Sequence, residues 1–279
     1  MSTITERRLR IAGLEILLRS NRGDVLNGLV ERFDGYQSLD DYPNLAFEYS
    51  VDDSLTGLNW PFPPCHFETG NDGLYHFSRE DLRGTVEVPI GRDAPVLGRF
   101  EGNGEQKTMA IALRIALAFS LLRVGGMLFH ASAVHGAKGT LLFAGSSGKG
   151  KTTILRLLAH TTAKRFADEL IAVRPTSGTT RQEWSAFATP FGGKSGWNPD
   201  AAAPLARLYF LRQGSQHLAV ALPPTAAIGQ LASVAAAYLP GSEAAAAMLD
   251  TADAFVRAVP CYRLEFTNDP GIAAVLGLT

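Results

Sequence analysis

Residues Gly145-Ser146-Ser147-Gly148-Lys149-Gly150-Lys151-Thr152 carry the pattern G-x-x-x-x-G-K-[ST]. This pattern is typical of a phosphate-binding loop that joins a buried strand to a helix. The apolar run 140–144 directly before it predicts the strand, and residues 152–162 are expected to form the helix. Glycines let successive backbone N–H groups turn toward phosphate oxygens, and a helix starting near Lys151 adds the positive end of its dipole. The stretch therefore predicts an α/β fold that binds a polyphosphate.

The side chains of the loop predict ATP and Mg²⁺ as cofactors. Lys151 provides a point charge for the β- and γ-phosphates, and the hydroxyl of Thr152 can ligate Mg²⁺ that bridges them. Ser147 and Lys149 add further contacts in this interpretation, although a lysine at a variable loop position can equally be solvated. The residues predicted to contact the nucleotide are Gly145, Ser146, Ser147, Gly148, Lys149, Gly150, Lys151, Thr152 and Thr153.

Two adjacent carboxylates, Asp168 and Glu169, begin 17 residues after Lys151. This spacing leaves room for one helix and a short return to the sheet. Such a pair can divide the work, because one carboxylate can hold Mg²⁺ while the other accepts a proton from an attacking hydroxyl. The alternative is a solvated acidic turn before a strand at 170–173. His130 has a similar alternative, that of a strand histidine bonded to backbone.

The segments around the loop predict a domain that extends over residues 105–279. Residues 105–122 have apolar groups around most of a helical circumference, so we expect a buried helix. Two apolar runs, 127–134 and 140–144, flank a glycine-bearing turn and predict a β-hairpin that leads into the loop. Alanine-rich helices are expected within 201–247, after a strand near 208–211.

Residues 1–104 predict a small α+β module of their own, which ends at Gly102-Asn103-Gly104. A strand is expected around 8–18, a helix over 26–33, and two further strands at 45–51 and 85–90. We find no constellation of catalytic residue types in this module.

The formal net charge of −1 conceals an asymmetry between these two regions. Residues 1–104 hold 17 acidic residues against 10 arginines and no lysine, a balance of −7, while residues 105–279 hold 10 acidic against 16 basic residues, a balance of +6. Either the regions face one another or they have different partners. In the second case the acidic module helps to choose the phosphate acceptor.

Composition also argues against several classes of protein. A net charge of −1 disfavours a nucleic-acid binder, and the most apolar stretch, 109–129, is interrupted by Arg114 and Arg123, so no membrane partner is expected. Only two cysteines are present, too few and too far apart for a disulfide framework. The first ten residues do not have the layout of a secretory signal. We therefore expect a cytoplasmic protein.

Three segments of this sequence together resemble the catalytic core of the HPr kinase/phosphorylase superfamily: residues 129–134, 141–153 and 166–169. The spacing agrees as well, since His130 lies 15 residues before Gly145 and the acidic pair begins 17 residues after Lys151. The resemblance implies a P-loop domain of the HPr kinase C-terminal or phosphoenolpyruvate-carboxykinase type.

The resemblance also implies roles for the candidate residues. Asp168 would be the catalytic base for attack by a serine hydroxyl on the γ-phosphate of ATP, with Glu169 and His130 in supporting catalytic roles. Thr152 and Glu169 would hold the metal. This chain departs from the family by having Glu169 in place of a second aspartate, and the family's later glycine-rich segment is not found. Residues 189–194 occupy a comparable region, where Lys194 either closes over the phosphates or is a solvated turn lysine.

The expected function is thus an ATP- and Mg²⁺-dependent kinase that phosphorylates a hydroxyl, favouring serine of a peptide or protein. The whole layout looks like HPr kinase-related proteins that modify peptides, including lasso-peptide tailoring kinases, which implies a small precursor peptide as the partner. A homo-oligomer is compatible with this interpretation. The alternatives are a small-molecule hydroxyl kinase and a nucleotide-binding regulatory protein without turnover. A transport or motor ATPase is disfavoured, because no L-S-G-G-Q-like segment follows the loop.

Overall fold

A computed structural model describes residues 3–56, 65–90, 93–146, 148–176, 183–191, 202–235 and 241–278. These residues form a mixed α/β fold with two sheets. The helices are α1 (Gly23–Arg32), α2 (Gln106–Arg123), α3 (Lys151–Leu157), α4 (Pro224–Val234), α5 (Ser242–Ala258) and α6 (Ile272–Leu276). The strands are β1 (Thr5–Ile11), β2 (Leu14–Ser20), β3 (Leu45–Val51), β4 (His66–Thr69), β5 (Tyr75–Arg79), β6 (Leu82–Glu87), β7 (Val96–Gly102), β8 (Met127–Gly136), β9 (Gly139–Ala144), β10 (Lys164–Ala167), β11 (Leu170–Thr176), β12 (Glu183–Ala188), β13 (Ala203–Gln213), β14 (Leu218–Ala221) and β15 (Cys261–Phe266).

The chain divides into two compact units, Met1–Arg123 with Tyr238–Ala246, and Val124–Ala237 with Ala247–Thr279. This division differs from the predicted one, because α2 belongs to the first unit. Asn103 explains the difference, since it is buried and its carbonyl accepts a hydrogen bond of 2.8 Å from the hydroxyl of Tyr49. Gly102-Asn103-Gly104 thus connects β7 to α2 through a buried asparagine.

The first unit contains a seven-stranded sheet in the order β1-β2-β3-β7-β6-β5-β4. Helices α1 and α2 pack against one another, and α2 packs on β7 and β3. The side chains that face these helices are large and buried, among them Phe47, Tyr49 and Phe100, whereas the alternate residues Glu48, Arg99 and Glu101 are exposed. One face of the sheet therefore forms the core and the other is polar.

The prediction of one strand around residues 8–18 was wrong. The segment forms the antiparallel pair β1 and β2, with Ile11 opposite Leu14. The turn between them has left-handed backbone at both Ala12, with φ of 55°, and Gly13, with φ of 69°. A tight hairpin turn needs this conformation at both positions. Apolar residues continue through the turn, so the pattern gave no sign of a break.

The second unit contains the other sheet, in the order β10-β8-β11-β12-β13-β15-β14, with β9 paired to β8 and β13. The predicted hairpin is confirmed, since β8 and β9 pair antiparallel with Gly136 opposite Gly139. Strands β9, β13 and β15 run parallel to one another. Their carboxyl ends therefore lie at one edge of the sheet, and the phosphate-loop sequence follows β9 there.

The helix after the loop is shorter than predicted. Helix α3 ends at Leu157, whereas the sequence predicted a helix to residue 162. The hydroxyl of Thr161 donates a hydrogen bond of 2.8 Å to the carbonyl of Leu158, and the N–H of Ala163 donates to the Thr161 hydroxyl at 3.2 Å. Threonine side chains that bond to nearby backbone in this way compete with helical hydrogen bonds.

In the described ranges, none of the helices combines the length and the apolar character that crossing a lipid bilayer requires.

Candidate functional site

The glycine-rich loop leaves β9 at Gly145 and bends sharply before α3 begins. The N–H of Lys149 donates a hydrogen bond of 3.2 Å to the carbonyl of Ser146, which closes a turn. Gly148 and Gly150 have positive φ values of 79° and 100°. Left-handed residues that alternate with ordinary ones can direct neighbouring N–H groups into one concavity, which is the geometry that anions bind.

Gly150 also requires glycine because of its surroundings. A Cβ atom at this position would lie 2.6 Å from Cζ of Phe266, which ends β15 and is buried. By contrast, a Cβ atom at Gly148 would meet nothing within 4 Å. The end of β15 thus presses on the loop at Gly150, and the backbone there has no room for a side chain.

Lys151 is the buried cation of the site, with only 9% of its surface exposed. Its Nζ donates hydrogen bonds to the carbonyls of Gly145 at 2.6 Å and Ser146 at 3.2 Å. Burial lowers the pKa of Lys151 below its ordinary value, and the negative charges of Asp168 and Glu169 act in the opposite direction. The two carboxylates therefore lie near enough to stabilise the lysine charge.

The acidic pair lies between β10 and β11, which both pair antiparallel with β8, and the register of β10 shifts between Arg165 and Ala167. Ala167 is opposite Ala133, and Leu170 is opposite His130. The N–H of Ala131 donates a hydrogen bond of 3.1 Å to the carbonyl of Glu169. The pair is therefore held directly against the strand that carries His130.

The two carboxylates differ in their surroundings. Asp168 is largely buried, with 13% of its side chain exposed, and its Oδ2 atom accepts a hydrogen bond of 3.0 Å from Nη2 of Arg165. This ion pair fixes the orientation of the carboxylate. Glu169 is exposed and has a φ of 86°, which is uncommon for a residue with a side chain. Such outliers concentrate at functional sites.

His130 is exposed in a strand whose neighbouring residues, Phe129 and Ala131, are buried. Strand β8 also contacts the loop, because the hydroxyl of Ser132 donates to the carbonyl of Lys151 at 3.3 Å. One strand thus supplies the histidine and supports the start of α3.

Three sequence motifs meet in one cavity of about 540 Å³. Of the predicted catalytic and metal-binding residues, all four line it: His130, Thr152, Asp168 and Glu169. The loop contributes residues that were predicted to contact the nucleotide, namely Gly148, Gly150, Lys151, Thr152 and Thr153.

The remaining predicted loop residues have other positions. Gly145 and Ser146 contribute their carbonyls to the lysine, as described above. Lys149 is exposed and is not among the residues that line the cavity. Ser147 and Lys194 lie outside the described residues.

Gln213 also lines the cavity and was not predicted from the sequence. Its Nε2 donates a hydrogen bond of 3.2 Å to the carbonyl of Gly148. Gln213 is the last residue of β13, which runs parallel to β9 with Phe210 opposite Ala144. In parallel sheets, ligands bind beyond the carboxyl ends of the strands, so a polar residue at the end of the predicted strand near 208–211 was the available signal.

Across the described residues, no group of three or more His, Cys, Asp or Glu side chains is placed to hold a metal ion. A complete metal site built from protein side chains alone is therefore not seen there. Mg²⁺ in phosphate-loop proteins needs fewer protein ligands, because substrate phosphates and water complete its shell. The hydroxyl of Thr152 and the exposed carboxylate of Glu169 fit that smaller requirement.

Fold and site together define a mixed α/β protein in which a glycine-rich lysine loop, an acidic pair and a histidine line one cavity. A family model described as SynChlorMet cassette protein ScmC matches residues 103–269, which is more than half of the chain. The chain therefore belongs to the ScmC family. The matched region includes every residue of the cavity. No match to a curated protein was found.

Proposed function

We propose that this chain is an ATP- and Mg²⁺-dependent kinase that transfers the γ-phosphate to a hydroxyl group, with serine of a peptide or protein as the acceptor. We further propose that its second unit has the P-loop fold of the HPr kinase C-terminal or phosphoenolpyruvate-carboxykinase type. The observation that supports both is the convergence of the loop, the acidic pair and His130 on one cavity. The loop, the acidic pair and His130 lie in separate segments of the sequence, and nothing in their separation along the chain requires them to meet.

The cavity suits a polyphosphate. Its volume of about 540 Å³ lies within the usual range of about 300–1,000 Å³ for ligand sites. Lys151 offers a buried ammonium group whose present partners are neutral carbonyls, so phosphate oxygens can replace them with a gain in electrostatic energy. The glycine conformations supply the concave backbone.

Two residues of the cavity are candidate ligands for the metal. Thr152 follows Lys151, the first residue of α3, and Glu169 contributes its carboxylate from the β10–β11 connection. When bound with the nucleotide, Mg²⁺ neutralises the negative charge that develops on the phosphates. Glutamate at position 169 keeps the carboxylate that the resemblance requires, although its side chain is one methylene longer than aspartate.

Asp168 is the candidate base. Arg165 holds its carboxylate in a fixed orientation at the cavity. In the proposed reaction Asp168 takes the proton of the acceptor hydroxyl while the hydroxyl oxygen bonds to the γ-phosphorus and the bond to the departing ADP oxygen breaks. His130 and Gln213 line the same space and help to orient these groups.

The acceptor is proposed from the family as well as from the site. The family is described as that of a cassette protein. An acceptor peptide encoded in the same cassette agrees with this description. The resemblance to peptide-modifying members of the HPr kinase superfamily favours the same class of acceptor.

The proposal is tested by incubating the protein with γ-labelled ATP, Mg²⁺ and a serine-containing peptide from the same cassette. We expect the label to appear on the peptide, and to be absent from a matched peptide with Ser→Ala. Release of labelled inorganic phosphate alone would indicate an ATPase. Nucleotide binding without turnover, measured by calorimetry, would indicate a regulatory protein, and either result would contradict the kinase proposal.

A further inference from the structure

The polar face of the seven-stranded sheet contains a second and larger cavity, of about 1010 Å³, which we call the sheet trough. Residues of six adjacent strands line it, from β2 through β3, β7, β6 and β5 to β4. Adjacent strands lie about 4.8 Å apart, so the trough crosses about 24 Å of sheet. An extended chain of about seven residues at about 3.3 Å per residue has this length. The dimensions therefore suit a short polypeptide segment.

The charged side chains of this face form a connected series of ion pairs. Arg19 contacts Glu6 at 2.8 Å and Glu48 at 3.7 Å. Arg99 contacts Glu48 at 3.5 Å and Glu87 at 3.6 Å. Each of these arginines thus already has two carboxylate partners, and Glu48 is shared between them.

The third arginine of the trough has the same arrangement. Arg83 contacts Asp52 at 3.0 Å and Glu101 at 2.7 Å. Glu48 and Glu101 line the trough, as does a sixth and exposed carboxylate, that of Glu68, whereas Glu6, Asp52 and Glu87 contact the arginines from outside the lining. The lining itself thus holds three arginines and three glutamates, and the three further carboxylates that pair with these arginines give this set of side chains a surplus of three negative charges.

This surplus decides which kind of partner the trough can bind. An anionic segment would have to compete for arginines that are already paired twice, and it would be repelled by the remaining carboxylates. A cationic segment would meet uncompensated negative charge and need not break the existing pairs. The absence of lysine from residues 1–104, with its balance of −7, extends the same preference over the module.

We propose that the sheet trough binds an extended cationic segment of the acceptor polypeptide, rich in lysine or arginine. That the segment belongs to the acceptor rests on the proposed kinase function, whereas the binding itself requires no nucleotide. The trough thereby gives the acidic module a role in choosing the acceptor.

The test measures binding of a fluorescein-labelled seven-residue peptide of alternating lysine and glycine by fluorescence anisotropy, without nucleotide. A matched peptide has glutamate in place of lysine. The full-length protein is compared with a trough variant, Glu48→Gln with Glu68→Gln and Glu101→Gln. The control is Glu31→Gln with Asp34→Asn and Glu80→Gln, which removes the same charge from exposed positions outside the trough.

We expect the lysine peptide to bind the parent protein, to bind the trough variant about tenfold more weakly, and to bind the control within about twofold of the parent. Added salt should weaken the interaction, because exposed charges are screened. Equal losses in both variants, or equal binding of the glutamate peptide, would overturn the proposal. Self-association of the parent that the trough variant abolishes would also overturn it, in favour of a second copy as the occupant.

Two further variants separate the possible failures. Glu68→Gln alone leaves all six of these ion pairs intact, and it should weaken lysine-peptide binding by about threefold even if the triple variant folds poorly. Lys151→Ala should bind the peptide like the parent while losing nucleotide. Loss of peptide binding in Lys151→Ala would contradict the proposal that the trough binds its peptide independently of the nucleotide site. Unchanged nucleotide binding in the same variant would contradict only the proposed function.

Discussion

The backbone N–H of Ala131 donates a hydrogen bond of 3.1 Å to the carbonyl oxygen of Glu169. This bond joins the strand of His130 to the acidic pair, which is 38 residues away along the chain from Ala131. It also holds Glu169 in a conformation with φ of 86°. The position of the carboxylates therefore depends on β8 as much as on their own segment, and a residue with an unfavourable backbone occupies the site.

The backbone of Glu169 predicts an unusual order of stability for two variants. Both Glu169→Ala and Glu169→Gly remove the carboxylate, but glycine adopts positive φ without the cost of about 1–2 kcal/mol that a Cβ atom brings. Glycine loses about 0.5–1 kcal/mol through its greater freedom in the unfolded chain. We therefore expect the glycine variant to be the more stable by up to about 1.5 kcal/mol.

Urea unfolding of the two variants measures this difference directly. Both should need the same higher Mg²⁺ concentration for half-maximal transfer, because both lack the proposed metal ligand. An alanine variant as stable as the glycine variant would show that the conformation at 169 is not strained.

Replacing Lys151 with alanine should abolish nucleotide binding and transfer, since the side chain provides the buried positive charge of the loop. The fold should persist, because the present partners of the lysine are loop carbonyls. Calorimetric titration with Mg·ATP measures the loss. The matched control is Lys138→Ala, which removes an exposed lysine from the β8–β9 turn and should leave affinity unchanged. Equal affinity in parent and Lys151→Ala would remove the phosphate-loop interpretation.

The two left-handed glycines of the loop should respond differently to alanine. Gly148→Ala should cost about 1–2 kcal/mol, the backbone cost alone, because a Cβ atom there meets no neighbour. Gly150→Ala adds overpacking against Phe266, a further cost of about 1–3 kcal/mol. Urea unfolding compares them, and Phe266→Leu in the Gly150→Ala background should recover part of the loss. Equal costs for the two alanine variants would mean that Phe266 does not restrict the loop.

Much of the site was predictable because its signals are local. The loop pattern, the acidic pair at a fixed spacing and the alternation of the hairpin strands each need only a short window of sequence. Gln213 and the contact of Phe266 with Gly150 depend on which strands run parallel, and no local pattern contains that information. The second strand of the β1–β2 hairpin was missed because Ala12 is not a typical turn residue.

The sheet trough was beyond prediction for the same reason. The sequence shows the acidic balance of residues 1–104, but the pairing of Arg83 with Asp52 and Glu101 joins three different segments of the chain. Only the strand order reveals that the arginines are already neutralised. The compact units divide after Arg123, whereas the sequence predicted a boundary at 104, where Gly102-Asn103-Gly104 has the composition of a linker while Asn103 is buried.

The environment of Lys151 predicts a pH dependence of nucleotide binding. Burial lowers its pKa, and the charges of Asp168 and Glu169 counteract that effect. Removing both charges in Asp168→Asn with Glu169→Gln should therefore lower the pKa further. Phosphate binding requires the protonated lysine, so nucleotide affinity should fall as the pH rises through the pKa of Lys151. In the double variant this fall should occur at a lower pH. Calorimetric titrations across the alkaline range measure the pH at which affinity falls. The same pH in parent and double variant would show that the carboxylates do not act on the lysine.

Asp168→Asn separates chemistry from binding. The amide has nearly the shape of the carboxylate but cannot accept the hydroxyl proton, so transfer should fall by about two to four orders of magnitude, the scale expected for loss of a general base. Mg·ATP affinity should change little, because Lys151 and the loop remain. The control is Asp253→Asn, which breaks a comparable but exposed ion pair, in which Nε of Arg257 donates to Oδ2 at 2.7 Å. Single-turnover transfer and calorimetry on all three proteins provide the comparison, and transfer at the parental rate in Asp168→Asn would exclude Asp168 as the base.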